Sequence, residues 1–349
     1  LSVRRRALLQ AMAAAGALPA VLPMARASEP AVAAPEPVSV DALPLLRGEL
    51  TLYLGRGEGG LYENILAAIR KRNPELTLKV RRGPSTALAN TLAAEARAGR
   101  VRADVFWSID ASSLGLVAEH AAPVPVPAAL RDQLKPGFRY ASWVPVSGRI
   151  RTLPFNTGRL AAGDVPASVM DLPDTGFRFG WAPAYGAFQS FVTAMRLLEG
   201  DDATGAWLEA MAGRATEYAG EFGVVMAVSR AEVDLGFANH YYTLRLKQGK
   251  PEVPVDLAFT RNDAGCLVNA SGAAVLSPSE LASGFVAHLL TREVQSYLAR
   301  EAFEIPLVAG VAPPEGLPPL ASLDPPQVDL EKLADLRPTL ALLRRAGVL

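Results

Sequence analysis

Val233-Asp234-Leu235-Gly236-Phe237-Ala238-Asn239-His240-Tyr241-Tyr242 is the stretch from which the fold is read. Its first six residues form an apolar run of the kind that makes a buried strand, ending at Asn239. Thr243-Leu244-Arg245-Leu246-Lys247 follow and open a helix. In an open α/β sheet, ligands sit just beyond the carboxyl ends of the strands. Neighbouring residues on a regular strand point to opposite faces. Both phenols therefore meet one ligand only if the chain turns here, and a strand-to-helix junction supplies that turn. Two phenolates suit a hard trivalent cation such as Fe(III), because hard ions prefer oxygen donors. A free tyrosine titrates at about 10, but a bound cation displaces the proton at neutral pH. Taken alone, the pair has a plainer reading, in which Tyr241 and Tyr242 straddle a sheet, one in the core and one at the surface.

The rest of the chain bears on that choice. Its 349 residues leave room for about two domains of ~150 residues. Half of the residues are hydrophobic, which permits a large core, and Lys+Arg and Asp+Glu stand at 35 each. That balance argues against a nucleic-acid binder, which would be strongly basic. Val3-Arg4-Arg5-Arg6 leads into an apolar stretch that runs to Leu22, and Ala25-Arg26-Ala27 fits a small-x-small cleavage site. Residues 1–27 read as an export signal, with the arginine run resembling a twin-arginine signal and a general secretory signal as the alternative. The apolar core is shorter than the ~20 residues that a membrane span needs. Cys266 is the single cysteine, so no intrachain disulfide can form, and its neighbours Leu267 and Val268 place it in a buried strand.

Residues 28–47, rich in Pro, Ala and Ser, read as a flexible leader. Strands are expected at Glu49 to Leu54, Leu76 to Arg81 and Ala103 to Trp107. Helices carry Leu61, Ile65 and Ile69, then Leu88 and Leu92 behind Ser85 as N-cap, then Leu114 and Val117. This β-α-β-α-β order implies an α/β protein with a mainly parallel sheet and helices on both faces. Val146 to Asn156 reads as a crossover into a second lobe. Leu267 to Leu276 is expected as two short strands joined tightly at Ser271-Gly272, and Leu330 to Leu343 as one leucine-spaced helix. Two exported α/β lobes joined by more than one crossover point to a hinged binding protein with its ligand in the cleft.

Other candidates are weaker. His120 and His288 read as structural residues, and a metal site built from the three histidines does not fit their spacing. No G-x-S-x-G elbow, H-E-x-x-H helix or Walker loop is present, so an exported enzyme lacks a nucleophile-base pair. Arg149 and Arg151 are either hinge salt-bridge residues or bidentate anion ligands.

YLGRGE (53–58), ADVFWSIDASSLG (103–115), VSGRIR (146–151), GWAPAYGAFQSFVTAMR (180–196), FANHYYTLRL (237–246) and LVNASGAAVL (267–276) together resemble the ferric-iron-binding periplasmic proteins of ABC transporters, over nearly all of residues 48–346. The resemblance implies a two-lobed type II periplasmic-binding fold, with lobe one at 48–150 plus 263–305 and lobe two at 151–262 plus 306–349. It implies Fe(III) as cargo, a periplasmic location, an ABC permease as partner, no enzymatic activity and a monomer. The double tyrosine is the family's iron-binding signature and falls on Tyr241 and Tyr242.

The departures are specific. Where many members have a histidine or tyrosine ligand in the first glycine-rich loop, this chain has Gly57 and Glu58. After the third strand it has Ile109 beside Asp110, and Phe155 stands where some members have a tyrosine. The family's positions for a synergistic phosphate or carbonate correspond here to Tyr185-Gly186-Ala187, Glu221 and Asn239. A carboxylate at 221 would repel an anion at close range. Either Glu221 replaces the anion as a metal ligand, with Glu58 or Asp110 closing the site from lobe one, or the cargo is a different metal or a phosphorylated or organic solute.

Overall fold

The structure, a computed structural model, describes residues 36–55 and 60–349. The expected signal segment and the first part of the leader lie outside the described residues, and so do Arg56 to Gly59, with the candidate ligand Glu58 among them.

The strands are β1 (Gly48–Leu54), β2 (Leu76–Arg82), β3 (Val105–Ser108), β4 (Val144–Asn156), β5 (Phe179–Trp181), β6 (Ala215–Glu217), β7 (Leu235–Gly236), β8 (Ala238–Asn239), β9 (Val255–Ala258), β10 (Val268–Val275) and β11 (Ile305–Pro306). Among the described residues they join in one sheet in the order β2-β1-β3-β10-β4-β7-β5-β6, with β8, β9 and β11 attached to β4. The βαβαβ start pairs β1 in parallel with β2 and β3, as the sequence order implies. β10 then returns antiparallel to both β3 and β4.

β4 is the spine of the molecule. Val144 to Ile150 pair with β10, while Arg151 to Asn156 pair with β8, β9 and β7. Every residue of β4 is buried, so the strand reads as an apolar run interrupted by two guanidinium groups, those of Arg149 and Arg151. Beyond it, Phe237 of the opening stretch lies within 6.4 Å, centroid to centroid, of the rings of Phe179, Phe188, Phe191 and Trp207. Burying a large apolar side chain is worth about 1.5–3 kcal/mol, and this cluster holds the chain immediately before the tyrosines in place.

Three local expectations are corrected. Leu267 to Leu276 is one strand, β10, with a bulge between Ser271 and Gly272. Gly272 serves close approach and not a turn, since a Cβ there would stand 2.5 Å from Cε3 of Trp143 and 2.7 Å from the Val144 carbonyl oxygen. Ser85 is the first residue of its helix and not the cap. Its hydroxyl donates to the Gly55 carbonyl and accepts from the Ile109 N–H, each at 3.0 Å, tying together the loops that follow β1 and β3. The C-terminal helix is two pieces, a 3-10 helix at Leu330–Ala334 and an α-helix at Arg337–Arg345. Pro338 is tolerated in the first turn of the second piece, where no N–H is needed, but cannot continue the first.

The tail is also shared between the two halves of the sheet. Ser112 in the helix after β3 donates to the Leu333 carbonyl, whereas Thr339 shares a hydrogen bond with Thr193 in the helix after β5. Among the described residues, no helix is long and apolar enough to cross a membrane.

Candidate functional site

β8 ends at Asn239, which has extended backbone and caps the helix His240–Gly249. The chain turns at this junction, and both tyrosines lie in the first helical turn. Their ring centroids are 4.5 Å apart. Tyr241 is almost fully buried. The Arg245 guanidinium, one helical turn on, lies 4.8 Å over its ring, and the His240 ring meets it edge-on at 5.5 Å. The side-chain amide of Asn239 donates to the Tyr241 hydroxyl at 3.4 Å. The Tyr242 hydroxyl shares a 2.8 Å hydrogen bond with the hydroxyl of Tyr185.

Tyr185 is the N-cap residue of the helix Gly186–Glu199. In the sequence it falls with Gly186 and Ala187 in an expected anion turn, and the family pattern does not mark its phenol as an oxygen donor. The available signal was chemical, because a tyrosine replaces a small residue and brings a third phenol oxygen. Burial pushes the Tyr242 phenol well above its ordinary range. Tyr241, Tyr185 and the Glu221 carboxylate push it further in the same direction. The Tyr242 phenol is therefore held in its protonated form.

A cavity of about 290 Å³ opens beside them. Tyr185, Gly186, Ala187, Asn239, Tyr241 and Arg149 border it, and Asp110 and Ser113 border it as well. Asp110 caps the helix Ala111–His120, accepting from the Ser113 N–H at 2.7 Å and from the Ser113 hydroxyl at 3.1 Å. Arg149 is nine-tenths buried and donates from Nη1 to the Ile109 carbonyl.

Glu221 is placed differently from the expectation that it is an open metal ligand. It is the first residue of the helix Glu221–Ser229 and is buried. Its Oε1 accepts from Nη1 of Arg151 at 2.5 Å, and its Oε2 accepts from the Asn239 N–H at 2.8 Å. Both oxygens are engaged because β4 brings the Arg151 cation to one and β8 brings the Asn239 N–H to the other, and that pairing could not be read from spacing. Arg151 thus takes the salt-bridge role of its two readings, while Arg149 faces the cavity.

His240 points away from the phenolic oxygens. Its Nδ1 accepts from the Ile150 N–H at 3.2 Å, and its Nε2 donates to the Phe303 carbonyl at 2.6 Å. Burial lowers its pKa to about 4. Among the described residues, no group of three His, Cys, Asp or Glu side chains is placed to hold a metal ion.

No family model matches the chain. It is 31% identical over 285 residues to the Fe(3+)-binding periplasmic protein of Serratia marcescens, covering 78% of this chain and 83% of that protein. It is 33% identical over 261 residues to the major ferric iron-binding protein of Neisseria meningitidis serogroup B, covering 71% of this chain and 79% of the relative. Iron-bound HitA from Pseudomonas aeruginosa superposes with a TM-score of 0.75 at 30% identity, covering 87% of this chain and all of HitA. A Trichodesmium protein solved with iron and citrate also superposes at a TM-score of 0.75, but at 23% identity it speaks to the fold alone.

Proposed function

This chain belongs to the family of periplasmic ferric-iron-binding proteins, with their two-lobed type II fold, and from that premise we propose that it binds ferric iron through Tyr241, Tyr242 and Tyr185. The observation that carries the reading is the 2.8 Å contact between the Tyr185 and Tyr242 hydroxyls beside Tyr241. Three deprotonated phenols balance the three charges of Fe(III), and hard oxygen donors are what that ion selects. With the charge already balanced, Glu221 has no need to ligate. We assign it instead as the counter-ion that fixes Arg151 and the Asn239 backbone, and thereby the start of the tyrosine helix.

The remaining coordination positions face the cavity. Asp110 borders it and is our candidate for closure from lobe one, together with Glu58. We assign Arg149 and the helix start at Tyr185-Gly186-Ala187, which border the same cavity, to a small oxyanion such as carbonate or phosphate. Lobe one is proposed as 48–150 plus 263–305 and lobe two as 151–262, with the tail after 305 divided between them. The relatives are named for iron binding, and we read this chain likewise as a carrier and not an enzyme. It would be exported by the segment 1–27 and would deliver its cargo as a monomer to an ABC permease.

The test is metal analysis of protein purified without chelator, together with a visible spectrum. The expected result is one iron per chain and a phenolate-to-iron absorption band that disappears in the Tyr241→Phe/Tyr242→Phe double variant. Colourless protein that takes up no ferric iron, yet binds another metal or an organic solute, would overturn the reading.

A further inference from the structure

A second cavity, larger than the one beside the tyrosines, lies apart from that cleft. A pocket of about 590 Å³ lies between the segment after Leu134 and the proline-rich stretch 311–330, with Phe138, Tyr140, Ile305, Pro319 and Pro326 on its walls. That volume falls within the range of about 300–1,000 Å³ typical of small-molecule sites. The lining is mostly apolar and flat-faced. Tyr140 is held rigid by stacking on Trp143, with centroids 4.3 Å apart and planes 9° from parallel.

One cation interrupts that lining. Lys135 borders the cavity and is half-buried, and its Nζ donates to the Pro306 carbonyl at 2.7 Å. Among the described residues no carboxylate pairs with it. Burial lowers its pKa, with no neighbouring charge contributing. Asp324 also borders the cavity but is not paired with Lys135. A half-buried ammonium at the edge of a mostly apolar lining, with a carbonyl and no carboxylate as its partner, leaves room for a counter-charge from a ligand. A ligand with a flat apolar body and a single carboxylate supplies both the missing charge and the missing packing.

We propose that this cavity is a second binding site, separate from the tyrosine cleft, for a small aromatic carboxylate whose ring lies against Phe138, Tyr140 and the prolines and whose carboxylate meets Lys135. A carboxylate suits the site better than a phosphate, because one ammonium cannot balance two charges in an apolar surround.

The probe is 2-naphthoate, titrated calorimetrically into the purified protein. The expected result is saturable one-to-one binding. 2-Naphthol, which keeps the ring and loses the charge, should bind about tenfold more weakly, the loss of one charge-assisted hydrogen bond. Lys135→Met should lower naphthoate affinity by a similar factor. Because that change also removes the bond to Pro306, a second variant, Ala321→Phe, fills the cavity from its exposed rim and leaves Lys135 intact. It should abolish binding of both probes while its thermal midpoint stays within a few degrees of wild type. Absence of saturable naphthoate binding overturns the proposal. So does naphthol binding as tightly as naphthoate, inorganic phosphate competing for the site, or naphthoate binding that survives in Ala321→Phe.

Discussion

The Tyr185 and Tyr242 hydroxyls lie 2.8 Å apart although the residues are 57 positions apart in sequence. One phenol comes from the cap of the helix after β5 and the other from the first turn of the helix after β8. Two helix starts, each at the carboxyl end of a strand, therefore aim their first side chains at one point. That is the place in an α/β sheet where ligands are held.

From this geometry, Tyr185→Phe should weaken ferric iron binding as severely as Tyr242→Phe. The loss should exceed the roughly 10–100-fold that removal of an outer-shell partner costs. Ring packing is retained, so the thermal stability of the metal-free protein should change little. Competition against a chelator of known affinity, with a melting curve on each variant, decides the matter. A Tyr185→Phe protein that binds iron like wild type would leave Tyr185 as an anion-turn residue only.

Protons report on the same ligands. Tyr242 is held protonated by burial and by its phenolic and carboxylate neighbours, so metal binding through this phenol, as proposed, would release protons. Apparent affinity should therefore rise with pH across the neutral range, since deprotonation is the cost that high pH removes. An unbuffered titration with a soluble ferric chelate should release one proton fewer from Tyr185→Phe than from wild type. Equal release from the two proteins would count against a third phenolate.

Much of this arrangement is legible in the sequence. The apolar run through Phe237 and the abrupt polar pair after Asn239 give the strand-to-helix turn because periodicity changes there from 2 to 3.6. The run from Val146 to Asn156 reads as a crossover between lobes, but that it is part of one continuous thirteen-residue strand is masked by Pro145, Gly148 and Pro154, which locally disfavour a strand. What stayed hidden depends on contacts distant in sequence. The Tyr185–Tyr242 pair, and the Glu221 carboxylate turned toward Arg151 across 70 residues, follow from how strands pair and not from local spacing. Gly272 looked like a turn because close approach to Trp143 and a tight turn both select glycine; only the register distinguishes them.

His240 gives a pH dependence of folding independent of metal. Its buried ring accepts from Ile150 through Nδ1 and donates to Phe303 through Nε2, an arrangement that requires the neutral form. Its pKa falls from 6.5 to about 4 on folding, chiefly through burial. The folded state thus binds this proton less readily than the unfolded chain does. The contribution is fully present above about 6.5 and is lost as pH falls toward about 4, by roughly 3 kcal/mol in all at about 1.4 kcal/mol per pH unit. Denaturant melts of the metal-free protein between these limits should show the decline, and His240→Gln should flatten it. An unchanged slope in the variant would place the acid sensitivity elsewhere.

The Glu221–Arg151 pair separates a counter-ion from a ligand. Glu221→Gln leaves a buried guanidinium without its charge partner, a loss that costs about 3–5 kcal/mol in buried pairs. The double variant Glu221→Gln/Arg151→Met removes both charges and should recover most of that stability, because the desolvation of each ion is removed with it. If Glu221 is only a counter-ion, the double variant also keeps ferric iron affinity, since three phenols still meet the metal. If Glu221 ligates, affinity falls in both variants irrespective of stability. Glu221→Asn adds a further distinction. Were the carboxylate a built-in substitute for a synergistic anion, this variant would bind iron weakly until carbonate or phosphate is added. The geometry predicts instead a destabilised protein whose iron affinity shows no new dependence on either anion. Chemical melts and chelator competition on the same three proteins, with and without added carbonate, read both quantities at once.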